Sequence, residues 1–195
     1  LWVDGGLAPD TLVLVARNTL LTWTGAINTD WSNAGNWNPA QVPTSMFDVT
    51  IPSGPTNQPT LTASSVAGSV TIAGLGARLT IGGQTLTVVG LGTHTDGLLV
   101  MTNAADLVIA SGDVYFQGGN ETGLLSAGEL RVAGAFNQQQ QTSTASFRAS
   151  GTHRTVLTGS ALQSVRFCCT AGAPSGFQNL DLSSSAGINI QFAGN

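Results

Sequence analysis

The sequence predicts an all-β fold, a parallel β-solenoid (β-helix) that follows an N-terminal cap. A short apolar triplet recurs along the chain with Gly, Ser, Thr or Ala around it. A strand this short cannot bury its apolar face alone, so the copies must stack into a shared core. Gly and small polar residues separate the copies, and the chain lacks the i, i+3, i+4, i+7 apolar spacing of helices. The triplets fall at residues 70–72, 79–81, 86–88, 107–109, 114–116, 130–132, 156–157 and 188–190.

The spacing of the triplets predicts the length of one coil. Thr85, Asp106, Glu129 and Arg154 precede successive triplets and are separated by 21, 23 and about 25 positions. A coil of this length turns about six times across residues 61–195, with about 4.8 Å between successive coils. Barrels and sandwiches of hairpins are the alternatives. They are disfavoured because no Asn-Gly or Asp-Gly turn joins two long alternating runs.

The first 60 residues have a different composition from the rest. They contain six of the seven prolines and all four tryptophans. Proline interrupts strand ladders, and a few large aromatic side chains can seal the open end of a core. We therefore predict an N-terminal arm and cap over residues 1–60 and a solenoid of about six coils over residues 61–195.

The arm contains an unusual strand. Residues 11–16 are almost continuously apolar and do not alternate as a half-buried strand should. Such a run needs cover on both sides. It can pair within its own cap, or it can be exchanged and add to the sheet of a neighbouring subunit.

The composition excludes several classes of partner. Charged residues make up 8% of the chain, lysine is absent and the net charge is −4. The six arginines are scattered, so no basic cluster can follow a phosphate backbone, and we expect no nucleic-acid partner. No stretch reaches the roughly 20 apolar residues of a membrane span. Because the chain begins with Leu1, we expect it to be a processed product.

Two sets of segments resemble large secreted bacterial surface proteins built on right-handed parallel β-helices. The family includes adhesins, autotransporter-like passengers and cell-surface filaments. The resemblance implies a β-helix fold and an extracellular location at the cell surface, but it does not specify a task. The segments are 23–26, 30–37, 42–43 and 48–52 near the N-terminus, and 151–159, 177–182 and 185–188 further on.

The function that we predict is structural and not enzymatic. The chain ends just after a strand without a charged or helical cap, and an uncovered solenoid end invites strand addition. We expect copies of the chain to stack head to tail into a filament or adhesin fibre, without a cofactor. The residues assigned to the contact are Leu12, Val13, Leu14 and Val15 on the donated strand, and Phe177, Leu180, Leu182, Ile188, Ile190 and Phe192 on the last coil.

The alternative is a carbohydrate-binding or polysaccharide-processing β-helix module. Exposed rings of Trp31 and Trp37 could stack on sugars, although tryptophan in a cap is more often part of the core. Asp106 and Glu129 could lie on adjacent coils as a pair of carboxylates, as glycan chemistry requires. An ordinary solvated pair neutralised by Arg154 is the simpler interpretation.

The remaining reactive residues give weak signals. His94 and Asp96 lie on one face of a strand, but no third ligand follows at a credible spacing, so we expect no metal site. Cys168 and Cys169 are adjacent, which leaves a strained vicinal disulfide, an interchain disulfide or two free thiols as the alternatives.

Overall fold

The computed structural model describes residues 19–90, 92–139, 142–168, 175–183 and 190–193, the last range as backbone alone. The regular structure of these residues is all β apart from one short 3₁₀ helix, Ala34–Asn36. Among them, no helix has the length and hydropathy of a membrane span. The strands are β1 (Thr19–Trp23), β2 (Trp37–Asn38), β3 (Phe47–Pro52), β4 (Ser65–Ala67), β5 (Ser69–Ala73), β6 (Arg78–Thr80), β7 (Thr85–Val88), β8 (Gly92–Thr95), β9 (Leu98–Val100), β10 (Leu107–Ala110), β11 (Asp113–Phe116), β12 (Glu129–Val132), β13 (Phe136–Gln138), β14 (Arg154–Leu157), β15 (Gln163–Phe167), β16 (Asn179–Leu182) and β17 (Ile190–Ala193).

The strands form three sheets, one on each face of a coil, which are parallel apart from the edge strand β2. Sheet 1 has nine strands in the order β17-β15-β13-β11-β8-β5-β3-β1-β2. Sheet 2 has six in the order β16-β14-β12-β10-β7-β4, and sheet 3 pairs β6 with β9. Isolated parallel bridges, such as Met101 with Leu125 and Leu125 with Ala149, continue sheet 3. The predicted fold class is confirmed, because the sheets stack as a β-solenoid of about six turns.

The coils differ in length at their corners. One inward column of sheet 2 runs through Leu86, Val108, Leu130, Thr155 and Leu180, at intervals of 22, 22, 25 and 25 residues. In sheet 1, the pair Phe136 and Val165 is 29 residues apart. The coil that contains β14 and β15 therefore accommodates its extra residues in the corner at 158–162, and the ladders on either side keep their register.

The observed register of β10 differs from the predicted one by one residue, whereas Thr85, Glu129 and Arg154 occupy equivalent positions in their strands as predicted. The prediction aligned Leu86 with Leu107, whereas Leu86 pairs with Val108. In β10 the inward, buried positions are Val108 and Ala110, while Leu107 and Ile109 are half-buried on the outer face. A shift of one residue reverses the face of every side chain in a strand. The apolar triplet did not distinguish the two faces because Leu and Ile occupy both.

The core is one continuous cluster inside the coils. At the β1 end, Trp23, Trp31 and Trp37 are buried and pack edge to face, with ring centroids 5.0 and 4.8 Å apart. Further along, Phe116, Phe136 and Phe147 are buried together, with ring centroids 4.7 to 5.9 Å apart. Large aromatic side chains thus fill the core at two separate levels of the solenoid.

The division of the chain at residue 60 stays a prediction. The ladder of sheet 1 runs across that position, because β3 pairs in parallel with β5 and β1 pairs in parallel with β3. The antiparallel strand β2 then pairs with β1 at the edge of the sheet.

Candidate functional site

One core position is left uncovered at the outermost described strand of sheet 2. Its column contains one residue per coil: Val88, Ala110, Val132, Leu157 and Leu182. The first four are at most 2% exposed, whereas Leu182 is 58% exposed. Its register makes Leu182 a core position, but β16 is the outermost described strand of sheet 2. This end of the solenoid therefore presents an apolar side chain that a further coil would bury.

Two neighbours of Leu182 are only partly covered. Leu180 occupies the next inward position of β16, and Phe177 precedes the strand. Both pack against the core cluster without being fully buried. The Phe177 ring lies 4.8 Å from that of Phe136 and 5.0 Å from that of Phe167, measured between centroids. We call Phe177, Leu180 and Leu182 the terminal apolar surface.

The backbone at this end also has unpaired strand edges among the described residues. In the part of the chain that the structure describes, β16 is the outer strand of sheet 2 at this end, and β17 is that of sheet 1. An outer strand offers N–H and C=O groups along one edge, and these can pair with another strand. The terminal apolar surface thus combines a strand edge with apolar side chains.

The opposite end of the core is closed. The rings of Trp23, Trp31 and Trp37 fill it, and two of the indoles are fixed by hydrogen bonds. Trp37 Nε1 donates to the Trp31 carbonyl at 2.8 Å, and Trp23 Nε1 donates to the Asn57 carbonyl at 2.7 Å. The two ends therefore differ in both their side chains and their strand edges.

The structure brings together only part of the predicted assembly site. Leu180 and Leu182 lie on β16 in register with the inward positions of β14, and Phe177, which packs against the core cluster as Leu180 does, precedes that strand. Ile190 and Phe192 lie on β17, where the backbone alone is described. The remaining residues assigned to the contact lie outside the described residues; they are Leu12, Val13, Leu14, Val15 and Ile188.

A row of charges crosses the outer face of sheet 2. Glu129 forms ion pairs with Arg131 of its own strand and with Arg154 of the next coil, the latter at 2.9 Å. Arg154 also pairs with Asp181 of the last coil. Glu129 is thus a partly buried carboxylate, with 18% of its side chain exposed, between two guanidinium groups. The neutralisation by Arg154 that the sequence suggested is found at Glu129, but the solvated pair with Asp106 is not, because Asp106 is buried.

Asp106 and Glu129 are neighbours through the backbone alone, because the Glu129 N–H donates to the Asp106 carbonyl at 2.8 Å, while the Asp106 side chain is buried elsewhere. It is buried one residue before β10, whereas Leu107 is the residue that pairs with Glu129. Its carboxylate accepts hydrogen bonds from the backbone of Gly83 at 2.5 Å and of Asn103 at 2.9 Å. The expected pair of adjacent carboxylates is therefore wrong, because the one-residue change of register turns Asp106 into the corner, where it ties two coils together.

The two tryptophans of the glycan alternative are core residues. Trp31 and Trp37 are at most 3% exposed, so neither presents a ring face on which a sugar could stack. With Asp106 also buried, Glu129 is the one residue of that alternative that is partly exposed, and the arginines already pair with it.

No metal centre is found among the described residues, which contain no group of three His, Cys, Asp or Glu side chains able to hold an ion. His94 is exposed and stacks on Tyr115 of the next coil, with ring centroids 4.6 Å apart. The Tyr115 hydroxyl donates to Asp113 at 3.2 Å. Burial and the nearby Asp113 carboxylate raise the pKa of Tyr115.

Cys168 is disulfide-bonded, and Cys169 lies outside the described residues.

Comparison with known proteins identifies a family. A family model described as a domain of unknown function (DUF8693) matches residues 22–124, just over half of the chain. The chain belongs to this family. Neither the curated proteins nor the solved structures contain a match. The DUF8693 match includes the tryptophan-filled end and the first coils, whereas the terminal apolar surface lies beyond it.

Two buried titratable side chains, Glu121 and His153, are not among the site residues that the sequence predicts. Glu121 lies within the DUF8693 match. Glu121, between β11 and β12, is completely buried, and burial raises the pKa of its carboxyl to about 8. His153, just before β14, is also completely buried, and burial lowers the pKa of its imidazole. His153 Nδ1 lies 2.9 Å from the Ala127 carbonyl, so the neutral ring donates a hydrogen bond there. No sequence signal marks either residue, because both lie in irregular segments without periodic burial.

Proposed function

We propose that the protein is a non-enzymatic structural component of an extracellular cell-surface filament or adhesin fibre, and that its copies associate head to tail through the terminal apolar surface. One observation carries the proposal: Leu182 is 58% exposed at a position whose equivalents in four preceding coils are at most 2% exposed. A repeat architecture needs either a cap or a neighbour at such a position.

The energetics favour a strand as the occupant. Complete burial of one leucine side chain contributes about 1.5–3 kcal/mol, and partial burial proportionately less. Leu182, Leu180 and Phe177 can all gain burial in one contact, while the edge of β16 gains a hydrogen-bonded partner. Because the tryptophan-filled end is unlike the β16 end, the contact joins different surfaces. Such a heterologous contact continues into a filament instead of closing on itself.

The donor that we propose is the apolar run at residues 11–16, which lies outside the described residues. It directly precedes β1, the parallel strand that ends the ladder of sheet 1 opposite β17. A secreted, cell-surface location is supported by the resemblance of residues 23–52 and 151–188 to secreted β-helix surface proteins. The DUF8693 match adds no activity to this proposal.

The first experiment changes the acceptor. Leu182→Asp places a charge on the terminal apolar surface, and we expect it to abolish concentration-dependent polymers in analytical ultracentrifugation and electron microscopy. Leu75→Asp is the matched control, because Leu75 is also exposed, at 60%, but lies in the turn before β6. The proposal is wrong if the wild type stays monomeric at high concentration, or if both variants polymerise like the wild type.

The second experiment removes the donor. A chain that starts at Thr19 keeps β1 intact and lacks the apolar run. We expect it to retain the circular dichroism of the wild type and to lose polymer formation, and an added synthetic peptide of residues 9–18 should bind to it. Unchanged polymerisation of the shortened chain would show that another segment covers Leu182.

A further inference from the structure

Glu121 occupies an unusual position for a carboxylic acid. Its side chain is completely buried within the coil that follows β9. Oε1 accepts a hydrogen bond from the Leu99 backbone N–H at 2.9 Å. Oε2 is buried and has no hydrogen-bond partner. An ionised carboxylate with one unpaired oxygen in the core would lose most of its hydration.

The Glu121 carboxyl supplies β9 with a hydrogen-bond acceptor that the backbone of a neighbouring strand would otherwise supply. Leu99 is the central residue of β9, which pairs with β6 on one side. On its other side β9 has no paired strand among the described residues, and an isolated bridge from Met101 to Leu125 links this coil to the next. The Glu121 side chain supplies the acceptor for the Leu99 N–H. The Glu121 backbone N–H donates to the Ala145 carbonyl of the following coil at 2.9 Å. One residue thus connects three successive levels of sheet 3.

Close backbone packing closes this position to water. A Cβ atom at Gly118 would lie 2.6 Å from the Asp96 carbonyl oxygen, and one at Gly119 would overlap the Gly97 carbonyl. The segment before Glu121 therefore lies directly on the turn before β9, with no space for a side chain between them. A charged Glu121 can be hydrated only if this segment moves away.

The charges around Glu121 do not compensate for its burial. Arg78 on β6 favours the ionised form and lowers the pKa, but the Arg78 side chain is exposed. Asp96, in the turn before β9, has the same sign as Glu121 and a buried oxygen without a hydrogen-bond partner. Desolvation is the largest effect, and the pKa of Glu121 rises from its usual 4.5 to about 8.

We propose that Glu121 is a proton-operated latch that, when protonated, holds residues 117–125 against β9 and, when ionised, lets them separate. This inference does not depend on the proposed assembly. An open segment exposes Glu121 to water and restores its usual pKa of 4.5. From pH 4.5 to about 8 the open form loses its proton while the closed form keeps it, so closure weakens as the pH rises. Above about 8 both forms are ionised and the dependence ends.

The test is amide hydrogen exchange, corrected for intrinsic exchange rates, from pH 5 to 9.5. We expect the opening constant of the Leu99 amide to increase about tenfold for each pH unit up to about pH 8 and then to level off. The Glu121 and Met101 amides, which bond to Ala145 and Leu124, should follow it. The Leu130 amide in sheet 2 should not. Parallel changes in both sheets would indicate global unfolding and would overturn the latch.

Glu121→Gln keeps the size and the acceptor oxygen of the side chain but does not titrate. We expect this variant to lose the pH dependence at Leu99, and the control Glu129→Gln, on the outer face of sheet 2, to retain it. If Glu121→Gln does not fold, the carboxyl ¹³C shift of Glu121 in the wild type decides the question. A midpoint near 8 supports the latch, and a midpoint near 4.5 overturns it.

Discussion

Glu129 and Arg154 lie opposite each other on adjacent coils, and Arg154 Nη1 is 2.9 Å from Glu129 Oε2. The same guanidinium also pairs with Asp181 on the last coil. The register of β12, β14 and β16 therefore places opposite charges next to each other on the outer face of sheet 2. Cross-strand pairs of this kind contribute modestly, because water and salt screen exposed charges.

Arg154→Met should remove two ion pairs and keep the aliphatic part of the side chain. Since Arg154 is half exposed, we expect the free energy of unfolding to fall by no more than about 1 kcal/mol. The loss should shrink in high salt. Urea denaturation at low and high salt measures both effects, with Arg148→Met, outside this row, as the control. A loss that is independent of salt would show that Arg154 acts by packing.

Asp106→Ala should be more damaging, because it removes a buried side chain that accepts hydrogen bonds from the backbone N–H groups of Gly83 and Asn103. We expect a decrease of about 2–5 kcal/mol in the free energy of unfolding. Asp181→Ala, at a half-exposed side chain, provides the comparison in urea denaturation. Equal effects of the two substitutions would contradict the role of Asp106 in joining coils.

His153 predicts a pH dependence of opposite sign to that of Glu121. Burial lowers the pKa of His153 in the folded state below its usual 6.5. The unfolded chain therefore binds a proton first as the pH falls, and the contribution of neutral His153 to stability is lost below pH 6.5. His153→Gln should reduce the difference between unfolding free energies at pH 7 and pH 5. An equal difference in the variant and the wild type would contradict this prediction.

Trp37→Ala should open the tryptophan-filled end of the core. Trp37 is buried and touches both Trp23 and Trp31. Truncation of a buried tryptophan costs about 3–5 kcal/mol of unfolding free energy. Val42→Ala, at an exposed position in the same region, should cost less than about 0.5 kcal/mol. Thermal unfolding followed by circular dichroism compares the two, and similar transition temperatures would argue against a sealing role.

Gly119→Ala should destabilise the coil contact, because the added methyl group would overlap the Gly97 carbonyl. Gly54→Ala is a matched control, since a Cβ at Gly54 meets nothing within 4 Å. We expect a clear decrease in thermal stability for the first and little change for the second. A neutral Gly119→Ala would mean that the two turns can separate without cost.

The fold was predictable because short apolar triplets, separated by glycine and small polar residues, recur at intervals of about one coil. The register was less predictable. Leu107 and Ile109 are apolar but point outward, while Val108 and Ala110 face the core. Apolar residues on both faces conceal the alternation that would otherwise fix the register.

The buried polar groups were the least predictable part. Glu121 and His153 lie in corners whose path is irregular, and neither follows a strand pattern. Close backbone contacts between coils, as at Gly97 and Gly119, enclose Glu121. Sequence periodicity carries no information about such contacts. By contrast, the position of Leu182 as an inward residue follows directly from the ladder that begins at Val88.

The coils differ in length, and the difference lies at a corner and not in the paired strands. Between β14 and β15 the corner at 158–162 absorbs extra residues while the ladders on both sides stay aligned. Ser160, Ala161 and Leu162 at this corner are exposed. Length can therefore vary at this corner while the paired strands on both sides stay in register, so a tag or a foreign loop inserted here should leave the sheets intact.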